Sequence, residues 1–378
     1  MGSFKGQVFL VLLVAVAVLV MAFSAVPASA KTYHKVHEPK EIHKKRCYEA
    51  VKNNFNGWVK RVGDYVEKSS KSGPHTKRNL GVVAPRTIVV DQLGRGNFLT
   101  VQDAVNSVPT GNTKRVIIQI NAGTYRQKII VPSTKPFITF QGAGIKKTVL
   151  VWHDTAGEAG GTGLSASTFV KSAHFIAQDL TFANSAPAPV GGAVGKQAVA
   201  FRITGDMAAF YRVAFLGAQD TLYDQTGRHL FAHCFIQGSI DFIFGDGRSL
   251  YLDCHLNSIA VPYEGSLTAQ NRGSNTDIGG YSFVGCVVTG TGPIYLGRAW
   301  GPYSRTVFIR TFFENIIIPA GWYNWGITSR QKTVFYGQYE CSGPGANLSG
   351  RVPWGRELTS AEASPFSDTR FIDGALWL

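Results

Sequence analysis

The stretch Ala208-Ala-Phe-Tyr-Arg-Val-Ala-Phe-Leu216 is almost continuously apolar and is followed by a glycine, Gly217. A short run of this kind is typical of a strand that is buried on both faces, as strands in a stacked parallel sheet are. Comparable runs recur on both sides of it, separated by turns that contain glycine or asparagine. We predict strands at Val116–Ile120, Ile138–Gln141, Phe175–Phe182, Ala208–Leu216, Leu230–Ile236, Ser249–Leu256, Tyr281–Val288 and Thr306–Phe313.

The spacing of these runs indicates the architecture. Several successive runs begin 20 to 25 residues apart, and periods of about 20 to 50 residues are typical of solenoids and other repeat folds. No helices alternate with the runs, which argues against a doubly wound α/β sheet. We therefore predict an all-β fold, a right-handed single-stranded parallel β-helix, with a β-sandwich as the alternative.

One amphipathic segment, Phe98 to Val108, precedes most of the strands. Thr100 is placed to cap a helix that has Asp103 in its first turn, and Pro109 follows its end. Because a solenoid needs its open ends covered, we predict a short capping helix over residues 100–108.

Two aspartates lie in apolar and aromatic surroundings, Asp220 in Gly217-Ala-Gln-Asp-Thr-Leu-Tyr223 and Asp241 in Asp241-Phe-Ile-Phe-Gly245. They are 21 residues apart, close to one coil, and neighbouring coils stack about 4.8 Å apart. Burying a carboxylate is costly unless positive charge or hydrogen-bond donors compensate. Two adjacent carboxyl groups titrate at different pH values, so one is ionised while the other keeps its proton. The pair is predicted to be a nucleophile and an acid.

Four more side chains complete a candidate site. Gln219 lies next to Asp220, and Gln197 lies about one coil earlier; two side-chain amides aimed at one point stabilise the oxyanion of acyl transfer. Arg298 and Trp300 lie in Leu296-Gly-Arg-Ala-Trp300. The arginine is predicted to hold a carboxylate with two hydrogen bonds, and the tryptophan offers a flat face to a sugar ring. Tyr223, Phe242 and Phe244 are candidates, with Trp300, for an aromatic cleft.

The N-terminus resembles a secretory signal. Lys5 is followed by the apolar run Val8 to Phe23, and Ala28-Ser-Ala30 is a small-residue cleavage site. The run of 16 residues is short for a membrane span, which takes about 20; a retained signal anchor is the alternative. We predict a signal peptide at 1–30, a basic arm at 31–82 and one catalytic domain at 83–378. The mature chain is expected to be extracellular, monomeric and not membrane-bound.

The charge of the chain favours an anionic partner. Between Lys31 and Arg78 there are 13 Lys or Arg against 5 Asp or Glu. Lys5 is the only charged residue of the predicted signal, so its removal lowers the formal net charge from +14 to +13. A basic extracellular chain suits an acidic wall polysaccharide, whereas nucleic acid is not expected because no binding motif is present. A solvated basic arm without a binding role is the alternative reading of this segment.

Five cysteines in an oxidising compartment allow one or two disulfides. Cys234 and Cys254 are about one coil apart and form one candidate pair. No Cys-x-x-Cys pair or zinc spacing occurs, so we assign no metal and no cofactor. Asn347 in Asn347-Leu-Ser349 is the one glycosylation sequon and a candidate glycan site.

Taken together, the motifs resemble those of the plant pectinesterases (pectin methylesterases), of the class without the inhibitor-like pro-region. The region between the signal and the domain, about 50 residues, is too short for a four-helix bundle. The resemblance extends from about Val83 to Asp373. It rests on Gly123-Thr-Tyr125, Gln197-Ala-Val-Ala200, Gly217-Ala-Gln-Asp-Thr-Leu-Tyr223, Asp241-Phe-Ile-Phe-Gly245 and Leu296-Gly-Arg-Ala-Trp300.

The resemblance implies a role for each site residue. Asp241 is implied to be the nucleophile and Asp220 the proton donor and then the base. Gln219 is implied to stabilise the transition state. The substrate-binding residues implied are Thr162, Gln197, Arg298 and Trp300. The resemblance also implies a disulfide between Cys254 and Cys286, methyl-esterified pectin in the plant cell wall as substrate, and proteinaceous pectinesterase inhibitors as candidate partners.

This chain departs from the family pattern at three positions. Gln127 stands where the family often has Glu, Ala299 where it usually has Pro, and Ser167 where it usually has Thr. None of the three belongs to the acid–base pair. Two other functions remain as alternatives: a pectate lyase or polygalacturonase on the same fold, and a wall-binding protein without activity. No Gly-His-Gly segment of the polygalacturonase type is present.

Overall fold

Parallel strands stacked coil upon coil make up most of the described chain. The computed structural model describes residues 85–190, 192–261 and 265–378. In these residues the strands form a large sheet of 17 strands and a small sheet of 8, and the paired strands run parallel. The fold is a right-handed parallel β-helix, which confirms the predicted class and excludes the β-sandwich.

The strands are short. In chain order the first thirteen are β1 (Arg86–Val90), β2 (Val116–Ile120), β3 (Gly123–Arg126), β4 (Ile129–Val131), β5 (Ile138–Gln141), β6 (Thr148–Trp152), β7 (Thr168–Val170), β8 (Ile176–Asn184), β9 (Phe201–Ile203), β10 (Ala208–Leu216), β11 (Leu222–Asp224), β12 (Arg228–Ala232) and β13 (Phe235–Gly238). The remaining strands are β14 (Ile243–Gly245), β15 (Arg248–Leu252), β16 (His255–Ile259), β17 (Gly265–Gln270), β18 (Gly280–Val284), β19 (Val287–Thr291), β20 (Ile294–Ala299), β21 (Arg305–Ile309), β22 (Phe312–Phe313), β23 (Trp322–Tyr323), β24 (Phe335–Tyr339) and β25 (Gly355–Glu357).

The large sheet consists of two parallel ladders that the long strands β8 and β10 join. β10 pairs with β12 through its first half and with β13 through its second half. The small sheet is a third ladder, in the order β4, β7, β9, β11, β14, β17, β20 and β23. The candidate site motifs lie in and around the small sheet.

Four predicted strands are each divided in two by a corner between the two ladders of the large sheet. The runs Leu230–Ile236, Ser249–Leu256, Tyr281–Val288 and Thr306–Phe313 were each predicted as one strand, and each is two. A single left-handed residue divides each run: His233, Asp253, Gly285 and Arg310, with φ between 47° and 65°. The apolar pattern continues through the corner because both flanking strands face the same core, so hydrophobicity alone does not reveal it.

The predicted capping helix is present as α1 (Val101–Asn106), close to the predicted bounds. Thr100 Oγ1 accepts a hydrogen bond from Asp103 N at 3.1 Å, as the capping prediction required. Val101, Ala104 and Val105 are buried against the first coil. The helix thus lies at the N-terminal end of the stack, whose first strand, β1, pairs on one side with β2.

The other helices are single turns. They are α2 (Ala156–Ala159) and α3 (Ser360–Ala363), with 3₁₀ turns at Thr162–Leu164, Thr328–Lys332, Pro344–Ala346, Ser364–Phe366, Thr369–Ile372 and Gly374–Leu376. No helix in residues 85–378, as far as they are described, is long and apolar enough to cross a membrane. The predicted signal peptide (1–30) and basic arm (31–82) lie outside the described residues. The domain start at residue 83 also falls there and stays a prediction.

The expected disulfide between Cys254 and Cys286 is absent from the structure, in which both residues are free thiols, as is Cys234. Strand register places the three on successive coils. Each Sγ donates instead to a backbone carbonyl oxygen, Cys254 Sγ to Phe231 O at 3.3 Å for example. The coil spacing of about 4.8 Å falls within the Cα separation that a disulfide needs, so the stack favours neither neighbour of Cys254 over the other.

Candidate active site

The two aspartates occupy the same corner of neighbouring coils, just before strands of the small sheet. Asp220 precedes β11 and Asp241 precedes β14, and both are left-handed, with φ of 63° and 48°. Asp tolerates this conformation better than most residues. The register of β11 with β14 aligns the two positions, and Asp220 N donates to Ile240 O at 3.0 Å. The one-coil spacing therefore brings the carboxyl groups together, as the sequence predicted.

Asp241 is ion-paired and almost fully buried. Arg298 holds its carboxylate at both oxygens: Nε donates to Oδ1 at 2.8 Å and Nη2 to Oδ2. Ser266 adds two hydrogen bonds, because its Oγ donates to Asp241 Oδ1 and accepts from Asp241 N at 2.9 Å. Burial alone lowers the pKa of Arg298, but the hydrogen bond and charge of Asp241 outweigh it and the pKa is raised. Asp241 is thus held by a permanent cation.

Asp220 has the opposite surroundings. Its carboxyl group is 9% exposed and donates or accepts no hydrogen bond with another described residue. Burial raises its pKa well above the ordinary value, the neighbouring Asp241 charge raises it further, and Arg298 counteracts only part of this. Asp220 therefore keeps a proton at pH values where an exposed aspartate is ionised.

All seven predicted catalytic and substrate-binding residues line one cavity of about 410 Å³. They are Thr162, Gln197, Gln219, Asp220, Asp241, Arg298 and Trp300. Gln197 and Gln219 lie on adjacent coils, since the N–H of Ala198 donates to the Gln219 carbonyl oxygen at 3.1 Å. Neither side-chain amide bonds to another described residue, so both are available to a ligand.

The cavity floor is aromatic, and one predicted residue is absent from it. Tyr223 and Phe244 stack with ring centroids 4.2 Å apart, and Trp300 lies 6.1 Å from Phe244. Phe242, in contrast, is fully buried in the main core. Two residues that are two apart on a strand face the same side, but Phe242 precedes β14, so this rule does not relate it to Phe244. The left-handed turn at Asp241 directs Phe242 into the core.

Sequence reasoning missed two supporting residues. Ser266 positions Asp241 from the next coil, and Trp325 lies against the Arg298 guanidinium at 4.5 Å from Cζ to the ring centroid. Ser266 is 25 residues after Asp241, and the coil period is the one signal that points to it. Trp325 lies beyond the last strand of the small sheet, where no motif marks it.

The family model described as Pectinesterase matches residues 87–375. The chain belongs to the pectinesterase family. The predictions of this family, and of a carboxylic ester hydrolase, are confirmed.

Relatives of this pectinesterase are found in both sequence and structure. It is 49% identical to Pectinesterase QRT1 of Arabidopsis thaliana, over 78% of this chain and 79% of that protein. It is 47% identical to Probable pectinesterase 8 of the same plant, over 77% and 76%. Pectin methylesterase from carrot matches with a TM-score of 0.73 at 36% identity, covering 79% of this chain and 97% of that one.

A solved pectin methylesterase mutant in complex with a hexasaccharide is also similar. Its TM-score is 0.65 at 26% identity, covering 77% of this pectinesterase and 98% of that chain.

In this chain the departures from the family pattern stay clear of the aspartates. Gln127 Oε1 accepts from Gln102 N at the start of α1, at 3.0 Å, and Ala299 is buried in the core.

His229 and His233 are four residues apart in the sequence, and the ring nitrogens of His229 are not available to a metal ion. His229 is buried, with Nδ1 2.6 Å from Asp224 Oδ1 and Nε2 3.0 Å from Gly205 O. Both ring nitrogens are therefore engaged inside the protein. Among the described residues no group of three or more His, Cys, Asp or Glu side chains is placed to hold a metal ion.

Proposed function

We propose that this pectinesterase hydrolyses the methyl esters of homogalacturonan, with Asp241 as nucleophile and Asp220 as acid and then base. One observation carries the proposal. Two adjacent carboxyl groups have opposite surroundings. Arg298 forms two hydrogen bonds with the Asp241 carboxylate, whereas burial raises the pKa of Asp220. Such a contrast assigns nucleophile and acid to different residues.

In the first half-reaction Asp241 attacks the carbonyl carbon of the C6 ester and forms a tetrahedral oxyanion. The amide N–H groups of Gln219 and Gln197 stabilise that charge. The bond from C6 to the methoxy oxygen then breaks, and Asp220 gives its proton to this oxygen, so that methanol leaves. The sugar stays attached to Asp241 through an anhydride.

In the second half-reaction Asp220, now a carboxylate, takes a proton from water as the water oxygen attacks C6. The bond between C6 and the Asp241 oxygen breaks. The products are ionised Asp241, protonated Asp220 and a free galacturonic acid group, which then releases its proton to solvent. The net reaction is ester plus water giving acid plus methanol, and no cofactor takes part in any step.

The substrate-binding roles follow from position. Thr162, Gln197, Arg298 and Trp300 line the same cavity as the aspartates, and the stacked rings of Tyr223 and Phe244 offer flat apolar faces to sugar rings. Because this one chain supplies both aspartates, both glutamines and Arg298, the proposed active form is a monomer. An opening of this kind is also the surface that a proteinaceous inhibitor would have to cover.

The proposed setting is the plant cell wall. The apolar run after Lys5 and the Ala-x-Ala site support secretion, and the positive net charge suits an acidic polysaccharide matrix. Asn347 is exposed, and its Oδ1 accepts from Ser349 N at 2.9 Å in a surface turn, which leaves the sequon accessible to glycosylation. N-terminal sequencing of the secreted protein, expected to begin near Lys31, tests the signal peptide.

An assay with two readouts tests the function. Purified mature protein is incubated with methyl-esterified pectin while methanol and new reducing ends are measured together. The proposal predicts methanol without new reducing ends. New chain ends without methanol would favour a lyase or polygalacturonase, and neither product would favour a wall-binding protein without activity.

A further inference from the structure

One outward-facing column of side chains runs along the small sheet. Strand register aligns one residue from each strand, coil after coil. In order the column is Ile130, Phe169, Arg202, Tyr223, Phe244, Ala269, Arg298 and Tyr323. Tyr223, Phe244 and Ala269 belong to the cavity of the aspartates. The residues before Tyr223 continue the cavity floor toward the N-terminal end of the stack.

Two cations meet at that end of the column. The Arg202 guanidinium lies 4.0 Å from the Phe169 ring centroid and 5.3 Å from that of Tyr223. Lys171, directly after β7, places Nζ 4.8 Å from the same Phe169 ring. Phe169, like Tyr223 and Trp300, packs against the small apolar cluster beneath the cavity. The two cations therefore share one aromatic base with the catalytic cavity.

Neither cation has an acidic partner in the part of the chain that the structure describes, where no carboxylate lies within ion-pair distance of Lys171 or Arg202. Arg202 Nε donates to Gln225 Oε1 at 2.8 Å and Nη1 donates to Gly163 O at 2.9 Å, while its Nη2 donates to no other described residue. Lys171 Nζ is exposed and also donates to none. Burial lowers the pKa of Arg202, as expected for a half-buried guanidinium without a counter-charge.

We propose that Lys171 and Arg202 form a subsite for the free carboxylate of a galacturonate unit that lies a few units from the ester being cleaved. This inference rests on the proposed function. A guanidinium and an ammonium on an aromatic base match a carboxylate on a flat sugar ring. A methyl ester carries no charge and gains little from them. The subsite therefore discriminates between a free and a methyl-esterified unit at this position.

Binding of two matched oligogalacturonates of equal length, one fully de-esterified and one fully methyl-esterified, tests the subsite. Dissociation constants are measured by calorimetry at low salt for the full mature chain. Lys171→Gln should weaken binding of the de-esterified ligand by about threefold, the effect of losing one exposed charge pair. It should weaken the methyl-esterified ligand less. Lys171→Arg, which keeps the charge, should bind both ligands as the wild type does.

Lys146→Gln is the matched control. Lys146 is exposed, precedes β6 of the large sheet and does not line the cavity, yet its replacement removes the same charge. If Lys171→Gln and Lys146→Gln change binding equally, or if Lys171→Gln weakens both ligands equally, the subsite is overturned. Arg202→Gln is less diagnostic, because Arg202 also holds the loop at Gly163.

The two proposals fail separately. A wild-type protein that releases methanol but shows no ligand-selective effect of Lys171→Gln retains the proposed function and loses the subsite. A wild-type protein that binds de-esterified oligogalacturonate through Lys171 but releases no methanol retains the subsite and loses the proposed function.

Discussion

Asp220 and Asp241 carry the same side chain in two different surroundings. Asp241 receives hydrogen bonds from Arg298 and Ser266, and Asp220 receives none from the described residues. Because charge and hydrogen bonds set which carboxyl group is ionised, the division of labour between the two comes from their contacts. Each role can be tested by changing one contact.

Asp220→Asn should lower the rate of methanol release by about 10²- to 10⁴-fold, the usual contribution of a general acid–base group. It should also change how stability depends on pH. The folded-state pKa of Asp220 is raised, so the wild type loses stability as pH rises from the unfolded-state value through the folded-state one. The asparagine does not titrate, and the variant escapes this loss.

The measurement is urea unfolding of both proteins at a series of pH values. The stability of Asp220→Asn relative to wild type should increase with pH above about 4. The gain is about 1.4 kcal/mol for each unit by which the folded-state pKa of Asp220 exceeds the unfolded-state pKa. A difference that does not vary with pH would show that the pKa of Asp220 is the same in the folded and the unfolded protein.

Arg298→Ala should move the basic limb of the pH–rate profile, at which Asp220 loses its proton, to higher pH. The limb moves because Arg298 counteracts the raised pKa of Asp220. The rate should fall by about 10²-fold or more, as for other preorganised electrostatic groups.

The control for this prediction is Arg298→Lys, which keeps the charge but loses the two-pronged hydrogen bond. Its basic limb should shift less than that of the alanine variant. Circular dichroism establishes that each variant is folded. A basic limb that stays in place in folded Arg298→Ala would remove the arginine from this role.

The cavity residues that lie in motifs could be predicted, because residues one coil period apart in the sequence are neighbours in the β-helix. A separation of 21 residues sufficed to place Asp241 beside Asp220. Ser266 is about one coil after Asp241, but the period alone does not distinguish this serine from its neighbours, and Trp325 is near no motif. The prediction of Phe242 as a cleft residue is wrong, because alternation along a strand does not hold through the left-handed turn at Asp241.

At the scale of elements, the left-handed corner of the large sheet determines how the coils turn. Strand register aligns the corner residues on successive coils, so that His233, Asp253, Gly285 and Arg310 stack above one another. Non-glycine residues in this conformation cost about 1 to 2 kcal/mol each. Their recurrence at one position indicates that the stack itself imposes the turn.

Gly285→Ala should destabilise the fold by about 1 to 3 kcal/mol. The new Cβ would be in a left-handed residue with φ of 65° and only 2.5 Å from Asp253 Oδ1. Gly94→Ala is the matched control, because Gly94 has φ of 76° but nothing within 4 Å of the added carbon. Urea unfolding should give the larger loss for Gly285→Ala, and equal losses would mean that the contact with Asp253 costs nothing.

Part of the large sheet could be predicted, whereas the strands of the small sheet could not. β2, β5 and β10 have the predicted bounds, because each is a mostly apolar run. In the small sheet β9, β11 and β14 have three residues each, too few for a hydrophobic pattern to be recognised. None of these three was predicted as a strand.

At the scale of the whole molecule, the net charge and the substrate have opposite signs. The chain carries a formal charge of +14, or +13 without the predicted signal, and the substrate becomes more anionic as esters are removed. Raising the ionic strength should therefore increase the KM for partly de-esterified pectin more than that for fully esterified pectin. A KM that is independent of salt for both substrates would mean that long-range charge does not assist binding.

Chelation should leave methanol release unchanged, since Arg298 supplies the positive charge of the site. The assay is repeated with and without a chelator at constant ionic strength. Loss of activity that added calcium restores would favour the lyase alternative over the proposed function.

The central claim is that Asp241 is the nucleophile, and the rate of methanol release by Asp241→Asn measures it most directly. The amide nearly keeps the shape of the carboxylate but does not attack the ester carbon. The account predicts a folded variant with less than about a hundredth of the wild-type rate on methyl-esterified pectin, a loss at least as large as that for an acid–base group. A folded Asp241→Asn protein that retains more than this would contradict the claim.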